Sequence, residues 1–414
     1  MNVSRRWGLV LALVAGAASA AGADPAASRI VLDWNTTTLQ VAPPPAHPRA
    51  LAMVHVAMFD AVNAIEPRYE PYLALPTVSG EADVRAAAAA AAYGVLVRLY
   101  PAQQTALGVA LAASLADVPE GASRTAGIAV GDGAAAAMVT SRATDNWLSP
   151  NPVYVQLPGP AAYRPTPPAF VNPVNVAAAS FAPFVMAGSG DLRPNGPPAI
   201  ESARFLEEYE EVRAKGAACP DPAACARSEE ETMIARWHTE QAFPQFCRIA
   251  RTLAAENPAD LGQTSRTFAL LSLAMADGFV AVFEAKYAFN FVRPITAIRA
   301  GDTDGVPETA GDAGWSPLLS TPPHPEYPSA HSVIHAAAAE VIKKMFGNHA
   351  GFDATAPPVP GLTRRFADAD EFVADGQAGR IYGGMHFRTA VVEGGKTGRK
   401  VGKLVLERAL LPLD

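Results

Sequence analysis

From Gln263 to Asn290 the chain runs without a proline while its apolar residues return every three or four positions, a spacing that suits a long helix and no strand. The same rhythm recurs over Pro48 to Ile65, Asp83 to Leu99, Ala102 to Ala116, Ser123 to Ser141, Ile200 to Lys215, Glu229 to Glu256, His331 to Phe346, Ala367 to Ala378 and Met385 to Leu410. Alanine, the strongest helix former, is abundant in these windows, and strict apolar alternation is scarce. The expected class is all-α, with no strand. The rhythm breaks from Asp145 to Pro198, where prolines remove backbone donors and fix φ, so a continuous helix is ruled out. That stretch reads as an ordered wrap between two helical layers, with a flexible linker as the alternative. It divides an alanine-rich region, residues 21–198, from residues 199–414, which hold most of the chemically interesting polar groups.

With 414 residues, half of them hydrophobic, the chain can bury a large core as one big domain or two intimately packed halves. The formal charge is -7, and losing Arg5 and Arg6 with a leader (-7 - 2) makes it -9, which argues against nucleic acid as a partner. The opening has those arginines, an apolar run from Trp7 to Ala17 and a small-residue site at Ala18-Ser19-Ala20. Residues 1–20 therefore read as an export signal, giving a periplasmic or secreted protein; an uncleaved anchor is the alternative. Ser4-Arg5-Arg6 leaves the general and twin-arginine routes both open. Beyond the leader, the richest apolar run, Ala86 to Val97, is bracketed by Arg85 and Arg98, so no membrane span is expected in the mature protein. Of three cysteines, Cys219 and Cys225 flank a proline-containing loop and can close a small disulfide, leaving Cys247.

Three stretches carry chemistry. Lys286 and Arg293 stand seven residues apart, so on one helix two turns would return them to nearly the same face, amid Phe283, Tyr287, Phe289 and Phe291. Such a pair forms an anion clamp, or else snorkels from a solvated edge. Pro328-Ser329-Ala330 leads into the helix beginning at His331, where Ser329 would cap and free backbone N–H groups would face an oxyanion. His331 would sit beside that anion; His335, one turn on, would orient it or belong to the core. Finally, Arg380 precedes His386 by six residues, and Gly383-Gly384 lets the backbone turn so that both side chains reach one point. Jointly these make a cage for a tetrahedral, multiply charged oxyanion, with two histidines for chemistry.

The three stretches, in order over about a quarter of the chain, resemble the vanadium-dependent haloperoxidase and type 2 phosphatidic acid phosphatase superfamily. Its pattern is Lys, six residues, Arg-Pro; then Pro-Ser-Gly-His; then Ser-Arg, five residues, His. Here these are Lys286 with Arg293-Pro294, Pro328-Ser329-Ala330-His331, and Gly379-Arg380 with His386. The segment from His47 to Tyr69 also resembles the first helical segment of bacterial haloperoxidase-like members. The resemblance implies two packed helical bundles with the oxyanion site in the C-terminal one. It implies vanadate as cofactor, ligated by His386 and held by Lys286, Arg293, Ser329, Ala330 and Arg380, with phosphate taking its place in a phosphatase. His331 would be the acid/base, and Lys286 would also polarise bound peroxide. Hydrogen peroxide, a halide and a small organic acceptor are the implied partners, and a homodimer is open. His324 stands where bromide- and iodide-oxidising members have histidine, which leans toward those halides.

The sequence departs from the pattern in three places. Gly379 replaces a serine, Ala330 a glycine, and Ala390 stands where phosphatase members have an aspartate; Glu393 is a candidate substitute for that orienting carboxylate. The closest rival is an exported acid phosphatase with a phosphohistidine at His386. Others are a metallohydrolase using His324, Glu326, His331 and His335, and an inactive binding protein that retains the anion pocket.

Overall fold

A computed structural model describes residues 25–413 except 77, 79, 80 and 220–224, so the leader lies outside the described residues. Among the described residues thirteen α-helices follow in order. The first five are α1 (Pro25–Val41), α2 (His47–Ile65), α3 (Val84–Leu99), α4 (Gln104–Leu115) and α5 (Ala122–Ser141). After the proline-rich stretch come α6 (Ala203–Lys215), α7 (Glu229–Trp237), α8 (Ala242–Glu256), α9 (Leu261–Phe289) and α10 (Pro294–Ala300). The last three are α11 (Ala330–Phe346), α12 (Ala369–Tyr382) and α13 (Arg388–Arg408).

The all-α expectation holds apart from one hairpin. Strands β1 (Phe352–Thr355) and β2 (Thr363–Phe366) pair antiparallel, with Phe352 opposite Phe366. Phe352, Ala354 and Phe366 face inward, a two-residue alternation too short to stand out in the sequence. The single helix expected over Glu229 to Glu256 is two. Pro244 in the first turn of α8 would remove a bond and clash with a preceding carbonyl inside one continuous helix, and at a helix start it does neither. Helices α1 and α10 were not foreseen. Pro294, expected to end or kink a helix, instead opens α10.

Helix α9 is the axis of the molecule. It packs on α2 toward the N-terminal layer and on α11 and α13 toward the C-terminal one, with the side chains from Phe268 to Lys286 buried throughout. By length and composition α9 alone among the described helices could cross a membrane; its apolar window lies wholly inside the protein. In the N-terminal layer the alanine run 86–92 of α3 lets α5 approach closely. A Cβ at Gly131 of α5 would come within 2.3 Å of the Ala87 carbonyl, so this contact requires glycine. A smaller apolar cluster unites Phe205, Tyr209 and Val212 of α6 with Phe291, Ile295, Trp315 and Phe387, and it backs the loops around Arg293.

The proline-rich stretch is an ordered wrap. Trp147 stacks between Phe181 and Phe279, and buried Asp277 of α9 accepts hydrogen bonds from the backbone N–H groups of Phe184 (2.6 Å), Val185 (2.8 Å) and Met186 (2.8 Å). Asp277→Ala strands three donors, two of them buried, so we expect a loss of about 3 kcal/mol in urea unfolding, with little change in the far-ultraviolet dichroism of the folded state. A loss within a few tenths of a kcal/mol would mean the wrap is anchored elsewhere. Cys219 and Cys225 are disulfide-bonded, and Cys247 is free and buried.

Candidate functional site

Lys286 rides on the last turn of α9, which Asn290 closes in the left-handed conformation (φ 51°). Arg293 follows in extended backbone as the N-cap of α10. The two cations thus meet through a chain reversal, and the two-turn helical argument does not apply. Both are fully buried. The Lys286 ammonium donates to the carbonyls of Pro325 (2.8 Å) and Glu326 (2.9 Å), which leaves it one further N–H. The Arg293 guanidinium stitches two loops together: Nε donates to the His324 carbonyl (2.8 Å), one terminal nitrogen to the Met385 carbonyl (2.8 Å), and the other to His324 Nδ1 (2.9 Å).

His386 lies between α12 and α13. The turn that delivers it depends on Gly384 (φ +76°), where a Cβ would stand 2.5 Å from the Gly216 carbonyl. One oxygen of Glu326, Oε1, accepts from the Phe387 N–H (2.9 Å) and from His386 Nδ1 (3.0 Å). With Nδ1 donating, Nε2 carries the lone pair, and it faces an Arg293 nitrogen at 3.2 Å. Glu326 was missed in this role: the sequence suggested Glu393, which instead pairs with Lys396 on the surface. Nothing in the spacing marks Glu326, because it reaches His386 across the fold. It also ties Lys286 to His386, since its carbonyl holds the one and its carboxylate the other.

Ser329 caps α11, but its hydroxyl accepts only a long bond from the Ser332 N–H (3.5 Å) and does not line the cavity. Ala330 and His331 do. His331 Nε2 meets the carbonyl of Glu240 at 3.0 Å; a carbonyl only accepts, so Nε2 carries the proton and Nδ1 is the free base. The break between α7 and α8 supplies that carbonyl. Arg380, on α12, donates to the His238 carbonyl (2.9 Å), with its Nε buried and unpartnered. The His238 ring is itself fixed by Asp375 (2.8 Å).

Burial dominates the electrostatics. It pushes Glu326 up to about 8 against the pull of Arg293 and Lys286. It pushes Arg293 down to about 10, and Arg380 down to about 9 with Arg293 adding to the effect. Lys286 is lowered well below its ordinary value by burial and then by Arg293, and His386 by burial and then by Arg293, Lys286 and Arg380. Three mutually repelling cations, an unprotonated imidazole nitrogen held by Glu326 and an orphaned guanidinium N–H fit a tetrahedral oxyanion bonded at His386. His324, Ala330, His331, Arg380 and His386 open onto one cavity, with Lys286, Arg293 and Ser329 behind them.

The metallohydrolase set does not converge. His335 is buried against Phe246 and Phe372, and Glu326 is committed to His386. Glu326→Ala should weaken oxyanion affinity by about 10–100-fold by freeing the His386 tautomer, while Glu326→Gln, which keeps an acceptor, should retain most of it. Equal losses in calorimetric vanadate titrations would mean that charge, and not orientation, is the contribution of this residue.

Comparison with known proteins gives concordant findings. The model of the second helical-bundle domain of VCPO matches residues 266–413. The chain is 25% identical to vanadium chloroperoxidase of Curvularia inaequalis, over 83% of this chain and 74% of that protein. Among solved structures it is similar to the first bacterial vanadium-dependent iodoperoxidase, with a TM-score of 0.80 at 26% identity over 95% of this chain and 98% of that one. The holo form of a bacterial vanadium-dependent chloroperoxidase shares the fold, with a TM-score of 0.70 at 18% identity over 89% and 94% of the two chains.

Proposed function

Because the chain belongs to the vanadium haloperoxidase family, we propose that it oxidises a halide, iodide or bromide, with hydrogen peroxide at a vanadate held by His386. The observation that carries this reading is the His386 Nε2 lone pair, set by Glu326 and surrounded by Lys286, Arg293 and Arg380. Vanadate bound there would supply a Lewis-acidic centre that activates peroxide toward halide. The residues of the chain do the rest. Lys286, Arg293, Arg380 and the Ala330 amide would hold the oxyanion oxygens. His331, with Nε2–H anchored on Glu240, presents Nδ1 to take a proton from peroxide as it enters. His324, oriented by Arg293 and packed edge-on to Phe283 (5.1 Å), puts an imidazole at the cavity wall where halide would approach.

The phosphatase alternative uses the same cage but finds less support. The relatives are haloperoxidases, and no aspartate stands at position 390. Titrating the purified protein with orthovanadate in peroxide and iodide, and following triiodide, tests the proposal. Activity should rise to saturation with vanadate, bromide should also be oxidised, and hydrolysis of a generic phosphomonoester should stay near background. Hydrolysis that vanadate inhibits, without halide oxidation, would instead establish the phosphatase. We also propose that residues 1–20 direct export, which N-terminal sequencing of protein recovered outside the cytoplasm checks by a new terminus near residue 21.

A further inference from the structure

The cavity above the oxyanion cage is far larger than halide and peroxide need. Its volume is about 800 Å³, within the range of pockets that enclose drug-sized organic molecules. Its polar end is the cage side, with His324, His331, Arg380 and His386. Its other walls are mostly apolar, with Asn151, Asn175, Thr239, Gln241 and Ser320 as the polar side chains among them. Phe279 and Phe283 stand one turn apart on α9 with ring centroids 4.6 Å apart, and Phe243 from the start of α8 lies 6.3 Å from Phe279 at a tilt of 58°. Ile334 of α11 and the prolines of the segment before α2 complete the enclosure. Among the described residues no carboxylate lines the cavity, so a cationic guest would find no counter-charge there, and the cations at its floor would serve the oxyanion. The phenylalanines offer edges and tilted faces, the geometry in which aromatic rings associate best.

We propose that this chamber binds an uncharged, electron-rich aromatic acceptor, such as a phenol or naphthol, so that oxidised halogen is captured inside the protein. The inference rests on the haloperoxidase reading above. The chemistry balances: halide gives two electrons to the peroxide O–O bond, taking up a proton and yielding hypohalous acid and water. The arene then exchanges its ring hydrogen for halogen and a second water leaves. The floor supplies the oxidised halogen and the phenylalanine walls hold the ring beside it.

The test uses 2-naphthol, a naphthylmethylammonium salt and glucose as probes of the vanadate-free full chain by calorimetry, with vanadate titration of each variant as the check that the cage is intact. Naphthol should bind saturably with a dissociation constant below about 1 mM, and the cation at least tenfold more weakly; glucose should not bind. Ile334→Trp, which fills the chamber, should weaken naphthol at least tenfold while vanadate still binds; Phe243→Ala gives a second reading by removing a wall. Bromination of naphthol by the loaded wild-type protein should persist in excess water-soluble scavenger. No naphthol binding, equal binding of the cation, unchanged naphthol affinity in both variants, or suppression in proportion to scavenger would overturn the proposal. Absence of vanadate-dependent halide oxidation with naphthol binding intact would sink the haloperoxidase reading and leave a binding chamber, so the two failures are distinguishable.

Discussion

His386→Ala is expected to abolish vanadate-dependent halide oxidation and to lower vanadate affinity by more than about 100-fold. Outer groups that merely orient a ligand are each worth about 10–100-fold, and this substitution removes the proposed ligand itself, the imidazole that Glu326 orients. The remaining cage is all charge: Lys286, Arg293 and Arg380 would still attract an oxyanion, but as a loosely held ion without a directed bond. Alanine also leaves Glu326 without its imidazole partner, although Oε1 keeps the Phe387 N–H, so the loop should hold its shape. Far-ultraviolet dichroism and thermal unfolding of the variant should stay close to wild type. Vanadate affinity within threefold of wild type would remove the imidazole from the oxyanion and with it the ligand assignment.

His331→Ala should produce the opposite split. Turnover should fall by about 100- to 10,000-fold, the usual contribution of a positioned acid/base, while vanadate affinity changes by only a few-fold. The geometry explains the separation. The ring is held by the Glu240 carbonyl and belongs to the first turn of α11, so it borders the cage without bridging any of its cations. Burial and the nearby Arg380 hold its pKa well below the ordinary 6.5, so the base is unprotonated through neutral pH and protonates only in acid. The acid limb of the rate profile should therefore lie below pH 6.5 in the wild type and be absent from the residual activity of the variant. Equal loss of binding and turnover would make His331 part of the cage and not the proton acceptor.

Most of the fold was legible because helix periodicity is a local property. The long helix expected from Gln263 is α9, and the run from Asp83 is α3, capped by the Asp83 side chain. What the sequence hid was set by tertiary contact. A four-residue strand pair carries too little alternation to see, and Glu229 to Glu256 shows one helical rhythm although Pro244 splits it. Within the site, the residues named by motif do gather around Glu326, Arg293 and the cavity, but one argument for why they gather fails. Lys286 and Arg293 meet through a left-handed turn at Asn290 and not along one helix face, whereas Ser329 caps its helix as expected. The orienting carboxylate was sought one or two turns beyond His386, as a helical neighbour. It comes instead from the loop before α11, sixty residues earlier, and no local spacing could reveal that.

The most direct test is a crystal soaked in orthovanadate and mapped by the anomalous signal of vanadium. One peak per chain is predicted, within bonding distance of His386 Nε2, with the Arg380 Nε–H and the free Lys286 N–H turned toward its oxygens. A peak elsewhere in the molecule, or none at a vanadate concentration that saturates activity, would contradict the account.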